Sequence, residues 1–165
     1  MKLTHALVPF AVCTLALSAV AAELPSRKPG LWDLTMNMGI SGVPPRTMQQ
    51  CIDAASDQAL HAQAGMGGEN CSKRDVVTAP GKITIDSICN IGGRQVTSHI
   101  VVAGSFDSAY TTTISSTGGL RDTNMTMDAK WLGPCKADQR PGDIIMSNGM
   151  KMNVLDIRKM APPAR

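Results

Sequence analysis

Trp32-Asp33-Leu34-Thr35-Met36-Asn37-Met38-Gly39-Ile40 alternates without a break: the even positions carry large apolar side chains, and the odd ones are polar or small. Successive side chains of an extended chain point to opposite faces, so the pattern predicts a strand with one buried face. A second segment repeats it after Leu120. Arg121, Thr123, Met125, Met127, Ala129 and Trp131 alternate there with Asp122, Asn124, Thr126, Asp128 and Lys130.

Working outward, Pro44-Pro45 turns the chain, and Arg46 to Cys51 returns beside the first strand. Asp53 is placed to cap an alanine-rich helix from Ala54 to Ala64, which Gly65 stops. Gly65 to Asn70 holds three glycines and few side chains to pack, so a mobile loop is expected. Cys71 to Ala79 and Lys82 to Asn90 flank Pro80-Gly81, whose backbone preferences suit the two corners of a hairpin. Arg94 to Ala103 and Ala109 to Ser116, rich in Val, Thr and Ile, continue the meander. In the tail after Pro141, Ser147-Asn148-Gly149-Met150 favours a hairpin, with a helical turn from Asp143 as the alternative.

The expected fold is mainly β: an antiparallel meander of about seven strands with one short helix. Curling into a barrel or half-barrel would remove two raw sheet edges. It would also bring Trp32 and Trp131 into one neighbourhood.

The N-terminus adds a compartment. Met1 to His5, an apolar run from Ala6 to about Val20, and the small residues before Glu23 have the layout of a secretory signal peptide over residues 1–22. A membrane anchor would need roughly 20 apolar residues without the interruption at Pro9. Cys13 lies in this run, but Val12 before it is too bulky for a lipid-attachment signal. The expected mature chain, residues 23–165, has the size of a single domain. Fifteen basic side chains then face thirteen acidic ones in no long runs, which argues against nucleic acid and anionic membranes as partners. The expected location is periplasmic or secreted, with no membrane span in the mature chain.

Four cysteines survive processing: Cys51, Cys71, Cys89 and Cys135. In an oxidising compartment an even, spaced set reads as two disulfides. Zinc is disfavoured because no two are two to four residues apart and neither His61 nor His99 adjoins one. Cys71 and Cys89 are each nine residues from Pro80, so the hairpin sets them nearly opposite and leaves Cys51 for Cys135. The rival pairing, Cys51 with Cys71 and Cys89 with Cys135, stays open.

Arg27-Lys28-Pro29-Gly30-Leu31-Trp32, Gln50-Cys51, the spaced Cys71 and Cys89, and Trp131-Leu132-Gly133-Pro134-Cys135 together resemble the domain-of-unknown-function 3617 family. The likeness lies in the order and spacing of short motifs over nearly all of residues 23–165. It implies an exported bacterial protein, usually from Gram-negative species, and leaves activity open.

Methionine is the compositional anomaly, eleven in 165 residues, with pairs at Met36/Met38, Met125/Met127 and Met150/Met152. Two residues apart on a strand, both thioethers face one side, and soft sulfur suits Cu(I) or Ag(I). The first two pairs share parity with a tryptophan, which core filling also explains. A sheet lined by Met, Ile, Trp and Val can alternatively hold a small apolar ligand. No enzymatic constellation emerges. His61 and His99 are isolated, Asp33, Asp122 and Asp128 fall on outward positions, and no Gly-x-Ser-x-Gly turn is present. The expected function is a non-enzymatic binding or scaffold module, without a cofactor, for a small apolar ligand or a periplasmic protein. The alternative is Cu(I) or Ag(I) binding through Met36, Met38, Met125 and Met127.

Overall fold

The computed structural model describes residues 25–61 and 70–160. The predicted signal peptide, the end of the predicted helix and residues 65–69 of the glycine-rich segment lie outside the described residues. Nine strands follow in chain order: β1 (Gly30–Asn37), β2 (Arg46–Ile52), β3 (Cys71–Ala79), β4 (Lys82–Ile91), β5 (Arg94–Ser105), β6 (Ala109–Thr117), β7 (Thr123–Gly133), β8 (Asp143–Met146) and β9 (Lys151–Asn153). Helix α1 (Ala54–His61) joins β2 to β3, and α2 (Val154–Met160) follows β9. All nine strands form one antiparallel sheet in the order β3-β4-β5-β6-β7-β1-β2-β8-β9.

Three features depart from the expectation. Among the described residues the strands number nine, because the Asn-Gly tail does form a hairpin, β8–β9, whose strands are too short for a period of two to be read. At its tip Gly149 takes φ 83° and Asn148 Oδ1 accepts the Met150 N–H at 3.0 Å. A second helix, α2, starts directly after it, with Asn153 Oδ1 accepting the Leu155 N–H at 3.0 Å. Lastly, the sheet does not close into a barrel.

The open seam is not where closure would put it. β1 pairs with β7 along its length, the join that would close a seven-stranded meander, and Trp32 stands directly opposite Trp131. The opening lies between β2 and β3, because β8 has taken the other edge of β2, pairing Met48 with Met146 and Gln50 with Ile144. The exposed edges are blunted without closure. β9 has three residues, while β3 carries Lys73, Arg74 and Asp75, a register irregularity and a disulfide.

The sheet is nevertheless strongly curled. Trp32, Leu34, Ile52, Ile83, Ile85, Val102, Tyr110 and Ala129 form one buried cluster, with Leu60 of α1 against it. β4 and β2 are five strand spacings apart in the order, about 24 Å on a flat sheet. Only a bent sheet lets their side chains share one core.

Part of the opposite face is covered. The chain leaving β7 crosses β1 to reach β8, Cys135 bonds to Cys51 with Cα atoms 5.5 Å apart, and Gly142 donates to the Cys51 carbonyl at 2.8 Å. Leu31 is 4 % exposed beneath this crossing. The second disulfide joins Cys71 to Cys89, register partners across β3 and β4.

Candidate functional site

The two ends of the curled sheet differ in chemistry. At the end where β1 begins, Arg27 enters the interior just before the strand. Its backbone N–H and Nε donate to the two carboxylate oxygens of Asp57 at 2.8 and 2.7 Å, and its Nη1 donates to Gln50 Oε1 at 2.9 Å. Arg27 and Asp57 are buried, at 4 % and 0 % exposed. The Tyr110 hydroxyl lies 3.5 Å from Arg27 Nη1, with the Tyr110 ring between Trp32 and Phe106 at 5.6 and 4.9 Å. Burial pushes the Tyr110 hydroxyl above the usual tyrosine range, against the pull of Arg27. This end is a sealed polar floor.

Sequence reasoning did not single out Arg27, Gln50, Asp57 or Tyr110 as a group. Their separations of up to 83 residues leave no local signal. The one available hint was Asp57 with His61 four residues on, which puts both on one helix face. α1 itself starts with a reciprocal cap: Asp53 Oδ1 accepts the Ser56 N–H at 2.8 Å, and the Asp53 N–H donates to Ser56 Oγ at 2.9 Å. The Ser56 N–H and hydroxyl hold the Asp53 carboxyl below its ordinary range.

His61 Nε2 lies 3.7 Å from Asp57 Oδ1. Burial holds His61 below the usual histidine range; Asp57 opposes this and Arg27 adds to it. A lowered pKa means the folded protein disfavours the imidazolium. Stability is therefore complete above the unfolded value of about 6.5 and declines as the pH falls through it towards the folded value. Urea midpoints at pH 7.5, 6.5 and 5.5 are expected to fall with pH in the parent, and the fall between 6.5 and 5.5 is expected to shrink in His61→Gln. An identical profile in both would remove His61 as the cause.

At the opposite end the sheet is open. In the β1–β7 register Met36 stands opposite Met127 and Asn37 opposite Thr126. Gly39, at φ 64°, sits so close to Asn124 that a Cβ there would strike the Asn124 carbonyl oxygen, so the register runs on past the end of β1. Met38 is thus opposite Met125, and the four methionines form a two-by-two array on the face that carries Trp32 and Leu34. Met36, Met125 and Met127 are half-buried and Met38 is 36 % exposed.

Three hairpin turns surround this end. They display Ile40 and Val43 between β1 and β2, Ile91 as the last residue of β4, and Leu120 between β6 and β7, at 44, 38, 61 and 87 % exposed. The last two turns adjoin, since a Cβ on Gly119 would lie 3.9 Å from Val96 Cγ2.

The remaining candidates are scattered. His99 pairs with Asp86 at 2.7 Å across β4 and β5, both about half exposed. Asp33 and Asp128 line an outer-face trough of about 410 Å³ with Thr35, Thr111 and Lys130. There Asp128 accepts the Thr111 hydroxyl at 2.7 Å, while Asp122 is exposed in its turn. Trp131 holds the start of β1, its Nε1 donating to the Pro29 carbonyl at 3.1 Å under Lys28 Nζ at 3.7 Å from the ring. Among the described residues no three His, Cys, Asp or Glu side chains are grouped to hold a metal.

Residues 27–135 match the model of a family described as "Protein of unknown function (DUF3617)". The chain belongs to this family. The DUF3617 match begins at the arginine of the polar floor, ends at the cysteine that clamps the crossing, and includes the methionine array. It leaves β8, β9 and α2 outside. No curated protein and no solved structure matches the chain.

Proposed function

We propose that this DUF3617 protein is an extracytoplasmic, non-catalytic binding module that takes its ligand at the open end of the sheet. The observation that carries the reading is the asymmetry of the two ends. Arg27, Asp57, Tyr110 and Trp32 are buried at one, while Ile40, Val43, Ile91 and Leu120 are exposed in or beside the turns at the other. Apolar side chains grouped at the surface stabilise nothing in the free protein and favour a contact with a partner or ligand. Two disulfides, and the lack of any helix among the described residues long and apolar enough to cross a membrane, are compatible with that location. Two ligand classes suit such an end, an apolar molecule under the turns and a soft metal ion on the methionines.

Native mass spectrometry of the protein purified from a periplasm, compared with its denatured mass, tests the reading. Extra mass that is lost on denaturation is the expected result. Turnover of an ester, glycoside or peptide library, or bare mass together with no co-purifying partner, would overturn it.

A further inference from the structure

We propose that Met36, Met38, Met125 and Met127 form a site for one soft monovalent metal ion, Cu(I) or Ag(I), at the open end of the sheet. The proposal rests on the binding-module reading and narrows its ligand.

The register makes the geometry. Opposed Cβ atoms on neighbouring strands are about 5 Å apart and same-face neighbours along a strand about 6.7 Å. The four Cβ atoms therefore mark a small rectangle on one face. Each thioether hangs on an unbranched side chain with three rotatable bonds, so the four sulfurs can turn towards one point above its centre. Core filling accounts for Met127, which packs on the buried cluster. It does not account for Met38 and Met125, which continue the array beyond the core into partly exposed positions.

The surroundings select for softness. In the register Met36 faces Arg46 on β2, Met127 faces Thr112 and Met125 faces Ile114 on β6. Among the described residues no carboxylate or imidazole is a cross-strand partner of the array. A hard divalent cation would thus meet a cationic neighbour in the register and no oxygen anion among these partners. Thioether sulfur instead matches a polarisable monovalent ion. Both structural disulfides tie up their cysteines, so these four thiolates do not compete for the metal.

The test is Ag(I) titration of the oxidised protein, with any free thiol alkylated first, followed by native mass spectrometry and by the ε-methyl NMR signals of labelled methionine. One Ag(I) per chain is expected, with four methyl signals shifting together and no uptake of Zn(II) or Ca(II). Met36→Leu/Met127→Leu and Met38→Leu/Met125→Leu should each weaken binding at least tenfold, while Met150→Leu/Met152→Leu should leave it unchanged. Leucine keeps volume and apolarity, so the fold is retained, and circular dichroism checks this. Equal Ag(I) binding in all variants, or none in the parent, would overturn the site. If the parent takes no Ag(I) yet retains another mass, the metal assignment falls and the binding module stands; bare mass throughout and no partner would end both.

Discussion

Removing the Cys51–Cys135 disulfide, as Cys51→Ser/Cys135→Ser, is expected to cost about 4–5 kcal/mol and to lower the melting temperature by roughly 10–15 °C. The bridge spans 84 residues, and the entropy a cross-link removes from the unfolded chain grows with the logarithm of the loop. Cys71–Cys89 spans 18, for which the same relation gives about 3 kcal/mol. The native state adds to the difference. Cys51 is fully buried, and its bridge holds the crossing chain over Leu31 and delivers β8 to the edge of β2. Losing it frees the stretch that occupies the edge β3 would otherwise face. The check is equilibrium urea unfolding of both double-serine variants. A larger loss from Cys71→Ser/Cys89→Ser, or less than about 1 kcal/mol from the long bridge, would show that the crossing is held by other means.

Asp57→Ala is expected to destabilise by about 3–5 kcal/mol, because it leaves the Arg27 guanidinium buried without its counter-ion. The Arg27 backbone N–H loses its acceptor in the same change. Arg27→Met combined with Asp57→Leu should cost much less than the two single changes added together, since neither charge is then stranded. A cycle built from Arg27→Met, Asp57→Leu and the double variant should give a coupling of about 1.5–3 kcal/mol. Additive losses, or singles below about 1 kcal/mol, would mean that water reaches the floor and the ion pair contributes little. Gln50 and Tyr110 report the same event, for both lean on Arg27 Nη1, so loss of near-ultraviolet signal from Tyr110 and Trp32 should accompany Asp57→Ala.

These two expectations rest on features of unequal legibility. The cysteines were visible from the start, but their pairing stayed open: the Pro80-Gly81 turn sets Ala79 against Lys82 and Lys73 against Ile88, a register that carried outward would put Cys71 opposite Asn90, and only the irregularity between Cys71 and Lys73 brings it opposite Cys89. The ion pair was not visible at all. Arg27 precedes the first strand, Asp57 sits on a helix that reads as alanine-rich, and only the fold makes them neighbours. The methionine array lies between these cases. Parity alone put Met36 with Met38 and Met125 with Met127; that the two pairs stand opposite each other depends on β1 pairing with β7, whose residues are some 90 positions apart.

The sequence by itself determined the antiparallel β class, the disulfide staple, the hairpin corners and the capped start of α1, and its residues 27–135 suffice for the match to the DUF3617 family. Each is written in residues close together, where alternation, proline and glycine preferences and a capping carboxylate act without reference to the rest of the chain. Only the tertiary structure decided that the sheet stays open between β2 and β3. That choice is a competition for one strand edge, won by a four-residue strand, β8, whose own sequence is too short to declare itself. It likewise decided which end is sealed by Arg27 and Asp57 and which exposes its methionines, because curvature and strand order place side chains that no local pattern relates.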